Sequence, residues 1–146
     1  MNALSRLATA AAFAALAATA AFAAGEAQDP TVKARMELMK SVGGAAKVLG
    51  GMAGDTAPFD AAAAEAAKAA MIAAAAEIPA KFEAQASDPA SEAKPEIWTS
   101  WDDFAAKGAA LKTAAEAMDA STLEGVKAGM GAIGGTCKDC HTSYRM

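Results

Sequence analysis

The two thiols and the single imidazole of this 146-residue chain fall within five consecutive positions, Cys137-Lys138-Asp139-Cys140-His141. No other feature narrows the fold so much. Cysteines three apart on a helix stand about one turn from each other, so both thiols face one way. The C-x-x-C-H spacing is the attachment signature of a c-type haem. In that chemistry two thiols add across the two vinyl groups of one porphyrin edge, and the next residue sets an imidazole under the iron. The competing uses of such a motif fit less well. A thioredoxin-type C-x-x-C opens a helix within a βαβ pattern, whereas this one closes a chain without strand signals. A zinc site needs four ligands, and no second Cys/His pair exists. A plain disulfide leaves His141 without a role. The expected cofactor is therefore one covalent haem c, held by Cys137 and Cys140 with His141 as a metal ligand.

The first residues read as a leader and not as part of the fold. Arg6 precedes an apolar run from Leu7 to Ala21, closed by Ala21-Phe22-Ala23. A charged start, an apolar centre and an A-x-A site make a secretory signal peptide. Residues 1–23 are expected to be cleaved, and residues 24–146 to form one domain in the periplasm. The chain is acidic, with 17 Asp and Glu against 13 Lys and Arg. It has no basic run, which argues against nucleic acid. Nothing after residue 23 is long and apolar enough to span a bilayer, so no membrane contact is expected of the mature form.

Three helical stretches follow from the 3,4 spacing of apolar residues, and a fourth, alanine-rich one from helix propensity. Thr31 to about Met52 carries Leu38, Val42, Ala45, Leu49 and Met52 on one stripe, with Thr31 as the expected N-cap. A second stripe holds Val32, Arg35, Met39, Val42 and Ala46. Gly43-Gly44 interrupts good helix formers; such glycines allow a large group to approach the backbone, or are merely tolerated. Gly50 to Pro58 reads as a loop. Asp60 caps an alanine-rich helix, Ala61 to Ile78, which Pro79 ends or kinks. Ala80 to Pro95 reads as a helical tail and a long loop. Glu96 to Met118 is the third helix, with Ile97, Trp101, Phe104, Gly108, Leu111, Ala115 and Met118 on its buried face. Ser121-x-x-Glu124 forms a capping box and opens the fourth helix, Thr122 to about Tyr144. On it Val126, Met130, Ile133, Cys137, Cys140 and Tyr144 share one side. No period-2 alternation appears. The expected fold is all-α: an antiparallel four-helix bundle with the haem motif on the inward face of its last helix.

A haem motif closing the last of four helices resembles the class II cytochromes c, the cytochrome c-prime family. The resemblance covers the whole mature chain. It rests on Val32-Lys33-x-Arg35, Pro58-Phe59-Asp60, Pro95-Glu96-Ile97-Trp98 and Cys137-x-x-Cys140-His141-x-x-Tyr144-Arg145. The family has a five-coordinate, high-spin branch that binds nitric oxide or carbon monoxide. It also has a low-spin branch, the cytochrome c five-fifty-six type, in which a methionine of helix one ligates the iron. Glu37-Leu38-Met39-Lys40 looks like the Leu-Met-Lys of the second branch. The resemblance thus implies Met39 as sixth ligand, Arg35 beside a haem propionate and Arg145 over the proximal side. Met39 as a plain gap-filling core residue is the alternative.

The implied function is to carry single electrons between redox partner proteins. His/Met ligation suits it, because a thioether stabilises ferrous iron and keeps one coordination shell in both redox states. No enzyme is expected. The one histidine is committed to iron, and Asp102-Asp103 reads as a solvated helix face. Class II cytochromes often form a homodimer through helices one and two, and the alanine-rich face of residues 61–76 could serve that contact.

Overall fold

A computed structural model describes residues 26–146; the leader predicted at 1–23 lies outside them. Five helices follow in order: α1 Pro30–Ala53, α2 Ala61–Phe82, a single turn α3 Glu96–Thr99, α4 Trp101–Ala117 and α5 Leu123–Tyr144. The four long ones form an antiparallel bundle in which α1 packs on α2 and α5, and α4 packs on α2 and α5. Among the described residues there is no strand. The nearest approach to one is an isolated antiparallel bridge between Ala93 and Arg145.

The apolar stripes become the core. Leu38, Val42, Ala45, Leu49 and Met52 of α1 are buried, as are Ile97, Phe104, Gly108, Leu111 and Ala115 beyond the long loop. Alanines 64, 67, 74 and 75 let α2 lie close to its neighbours. Gly108 does the same for α4: a Cβ there would stand 3.2 Å from Ile78 Cγ2. Bulk comes from an aromatic group around Phe104, whose ring centroid lies 5.2 Å from Phe82, 5.6 Å from Trp101 and 5.3 Å, edge-on, from Tyr144.

Several boundaries differ from the sequence-based expectation, each for a local reason. Asp29, not Thr31, caps α1: its carboxylate accepts from Thr31 N at 2.8 Å and Val32 N at 3.0 Å, with Pro30 at the first helical position. That arrangement uses proline where its missing N–H costs nothing. Gly50-Gly51 continues α1 instead of starting the loop. Pro79 does not stop α2, which runs on to Phe82. The turn beyond the proline is held from outside, since Arg35 Nε donates to Lys81 O at 3.0 Å and Trp98 Nε1 donates to Phe82 O at 2.8 Å. The third helix is broken at Ser100, whose backbone leaves the helical region (φ −128°, ψ 45°). Its carbonyl accepts Phe104 N at 3.0 Å, and the Tyr144 hydroxyl oxygen lies 3.4 Å from it. The capping box at Ser121 does not form. Ser121 bonds back to Asp119, and Thr122 caps α5 by accepting from Gly125 N at 3.1 Å. Asp60 caps α2 as expected, accepting from Ala63 N at 3.0 Å.

The turn into α5 is tight. A Cβ on Gly125 would stand 2.2 Å from Asp119 O, and one on Gly129 would stand 2.2 Å from Met118 Cγ. Only glycine permits α5 to start this close to the end of α4.

Candidate functional site on the α1–α5 flank

On α5, Val126, Ile133 and Tyr144 are buried, and Met130, Cys137 and Cys140 lie half-buried against the core beside them. Both thiols are free. Burial pushes each above the usual thiol range; for Cys140 the charge of Lys107 works against that rise. Met130 shows which neighbour this side of α5 faces: its Cε lies 3.8 Å from where a Gly50 Cβ of α1 would be. His141 is eleven residues further, about three turns, so it stands on the same α1-facing side. Its residue is exposed, and its ring makes no hydrogen bond among the described residues. Partial desolvation and then the charge of Arg145 hold its pKa below the ordinary value, against an opposing effect of Glu92. That direction favours the neutral ring, the form that ligates a metal.

Across the seam, Met39 of α1 is half-buried and packs against the same core. Met36 is also half-buried but does not join that packing. Around these residues the surface is open. Gly43 and Gly44 of α1 and Gly131, Gly134 and Gly135 of α5 are positions where an added Cβ would meet nothing within 4 Å.

Arg35 departs most from what its place in the chain suggests. Among the described residues it is the one buried charged residue, 3% exposed. Its guanidinium lies 5.1 Å from the Phe82 ring centroid and 5.2 Å from that of Trp98. Nε donates to Lys81 O at 3.0 Å and Nη2 to Ala84 O, while Nη1 is buried without a partner. Desolvation lowers its pKa, partly countered by Asp29. Two of its three nitrogens thus clamp α1 to the end of α2. Arg145 is half-exposed; its Nε and Nη2 both reach Glu92 Oε2 at 2.5 Å, and its own N–H caps His141 O at 3.0 Å.

A network behind the thiols went unread in the sequence. The Tyr144 hydroxyl donates to Asp103 Oδ2 at 2.6 Å, which pushes the phenol up to about 12. Lys107 Nζ donates to Asp139 Oδ2 and lies 3.9 Å from Asp103. Asp103 stays on the exposed face that the sequence suggests, and it also anchors α4 to Tyr144 of α5. The i,i+4 pair Asp103/Lys107 was visible in the sequence, but its partners on α5 were not.

An antiparallel four-helix bundle carrying C-x-x-C-H on its last helix defines a helical c-type haem protein. Its donor set fits that group: two free thiols one turn apart, a neutral imidazole, an open glycine-lined flank and one unpartnered guanidinium nitrogen. The family model described as Cytochrome C' matches residues 30–145. A cytochrome c-556 of Agrobacterium tumefaciens (strain apple 185) is 39% identical over 120 residues, 80% of this chain and 94% of the relative. A cytochrome c' from Rhodobacter spheriodes superposes with a TM-score of 0.73 at 32% identity, over 80% of this chain and 95% of that one. An oxidized cytochrome c556 of R. palustris gives a TM-score of 0.70 at 27% identity, over 82% and 98%. The chain belongs to the cytochrome c' family. It is a mono-haem c-type cytochrome whose cofactor is a covalently attached haem c. No helix among the described residues is long and apolar enough to cross a membrane.

Proposed function

We propose that this chain is a periplasmic carrier of single electrons, and not an enzyme, with His141 and Met39 as the two axial iron ligands. The observation that carries this reading is the position of Met39. It is half-buried at the α1–α5 seam, on the core margin it shares with Met130, Cys137 and Cys140. The haem, when bound, supplies a one-electron iron couple whose potential its axial ligands tune. The chain's own residues do the rest. Cys137 and Cys140 fix the porphyrin edge through thioethers. His141 would ligate as the neutral imidazole, the form that its partial desolvation favours. Met39 offers a soft sulfur from the opposite helix. Arg35 has one nitrogen left for a propionate, and Arg145, paired to Glu92, would lie over the proximal side. The periplasmic placement rests on the leader read at residues 1–23. The partners are redox proteins, and the exposed alanines of α2 suit a second copy of the chain.

Attachment is tested by acid–acetone extraction, after which the polypeptide should stay red; a colourless polypeptide refutes it. Ligation is tested by Met39→Leu, which nearly conserves volume. This variant should keep the bundle and the covalent haem, turn the iron high-spin, lower the potential and admit carbon monoxide quickly. Met36→Leu should do none of these. A wild-type iron that is already five-coordinate would replace electron carriage with nitric oxide or carbon monoxide binding.

A further inference from the structure

Lysines are distributed unevenly by pairing. Lys81, Lys107, Lys112 and Lys127 each hold an acidic side chain. Lys68 and Lys94 donate to the carbonyls of Met118 and Thr142. Among the described residues this leaves Lys33, Lys40, Lys47 and Lys138 without an ion pair or carbonyl partner. All four are exposed, and all four lie on α1 or α5, the two helices that flank the site.

Their positions on those helices are regular. Lys33, Lys40 and Lys47 are seven apart, so they run down one side of α1 with about 20° of drift per step. Met36 and Gly43 lie between that stripe and Met39, which places the lysines along the outer lip of the open flank. Lys138 follows Cys137 directly and stands one turn beyond Gly134, on the opposite lip. Glu37 is turned a further 60° or so away from the flank. Asp139 is spent on Lys107 of α4. The lips are thus basic in a chain whose formal net charge is −4.

Unpaired lysines cost nothing to leave in water, so their arrangement needs no folding explanation. What it creates is a positive local field around one opening of an acidic molecule. Fields of this kind steer association and select partners of opposite sign. We infer that Lys33, Lys40, Lys47 and Lys138 form a docking rim for a redox partner with an acidic surface. This rests on the reading that the haem occupies the α1–α5 flank.

The test uses the haem-loaded protein and two oxidants of opposite charge, ferricyanide and tris(phenanthroline)cobalt(III). Each takes one electron from the ferrous protein in stopped flow. Haem content by the pyridine haemochrome spectrum comes first; a haem-free protein would sink the functional proposal, and the rim would then stand or fall on the decaglutamate titration below. In haem-loaded protein, raising salt from about 10 to 200 mM should slow ferricyanide by roughly threefold or more and speed the cobalt complex. The opposite signs would mean that the reagents see only the acidic whole, and would overturn the inference. Lys40→Glu/Lys47→Glu should reverse both salt trends, while Lys81→Glu/Lys112→Glu, an equal change of charge elsewhere, should not; equal effects in the two variants would also overturn it. Partner class is tested separately with phosphatidylserine vesicles and a decaglutamate peptide. Amide shifts at residues 33–47 on adding the peptide are expected. Sedimentation with the vesicles at physiological salt, abolished in Lys40→Glu/Lys47→Glu, would instead assign the rim to a membrane surface.

Discussion

Replacing Arg35 by Met should weaken the joint between α1 and α2 far more than a surface charge deletion would. The guanidinium donates from Nε to Lys81 O and from Nη2 to Ala84 O, between the faces of Phe82 and Trp98. Hydrogen bonds from a charged donor contribute about 1.5–3 kcal/mol each, so the gross loss is about 3–6 kcal/mol. Two effects reduce it. Burying a guanidinium costs several kcal/mol that the variant recovers, and the freed carbonyls belong to exposed residues that water can reach. Met also keeps the slot between the rings filled. A net loss of about 2–3 kcal/mol remains. At about 4 °C per kcal/mol for a domain of this size, the thermal midpoint should fall by about 8–12 °C. Far-UV circular dichroism measures that drop. Hydrogen exchange then locates it, with protection lost first around the turn after Pro79. Arg35→Lys keeps the charge without the fork and should lose about half as much. A midpoint within 2 °C of wild type, or uniform loss of protection along the chain, would refute the clamp.

Gly129→Ala should destabilise the bundle, by up to about 2 kcal/mol, in denaturant titration. Overpacking against Met118 costs about 1–3 kcal/mol, offset by about 1 kcal/mol of helix propensity; a neutral or stabilising result would show that Met118 moves aside freely. Tyr144, the only tyrosine, should titrate with a midpoint of about 12 when followed through its ring carbon by NMR. Its raised pKa ties stability to the protonated phenol, so this contribution is complete below pH 10 and is lost as pH rises from 10 through about 12. Tyr144→Phe should lose that pH-dependent step, and a midpoint near 10 in the wild type would contradict the Asp103 bond.

Much of this was legible in the chain. The 3,4 stripes showed which face of α1, α4 and α5 is buried, because burial is the main reason such a stripe exists; the alanine-rich α2 carried no such stripe. The haem motif could be seen because its spacing is dictated by one rigid cofactor. The unread features share a cause: they depend on partners distant in sequence. Pro79 is tolerated because Arg35 and Trp98 hold the turn after it, and nothing near residue 79 announces them. Ser100 breaks a clean apolar rhythm with no glycine or proline beside it. Thr31 and Asp29 are both good caps; Pro30 favours Asp29, and that signal was available. The burial of Arg35 and the Tyr144–Asp103 bond required knowing which helices are neighbours.

The tight entry into α5 makes that helix a lever with its fulcrum at Gly125 and Gly129. Cys137 lies twelve residues beyond Gly125, about 18 Å along the axis. A methyl group that pried the near end open by only about 5° would carry the thiols sideways by about 1.6 Å. Substitutions at the fulcrum would then act as errors of aim: haem attachment and axial ligation would suffer at a distance, with the residues that perform them unchanged.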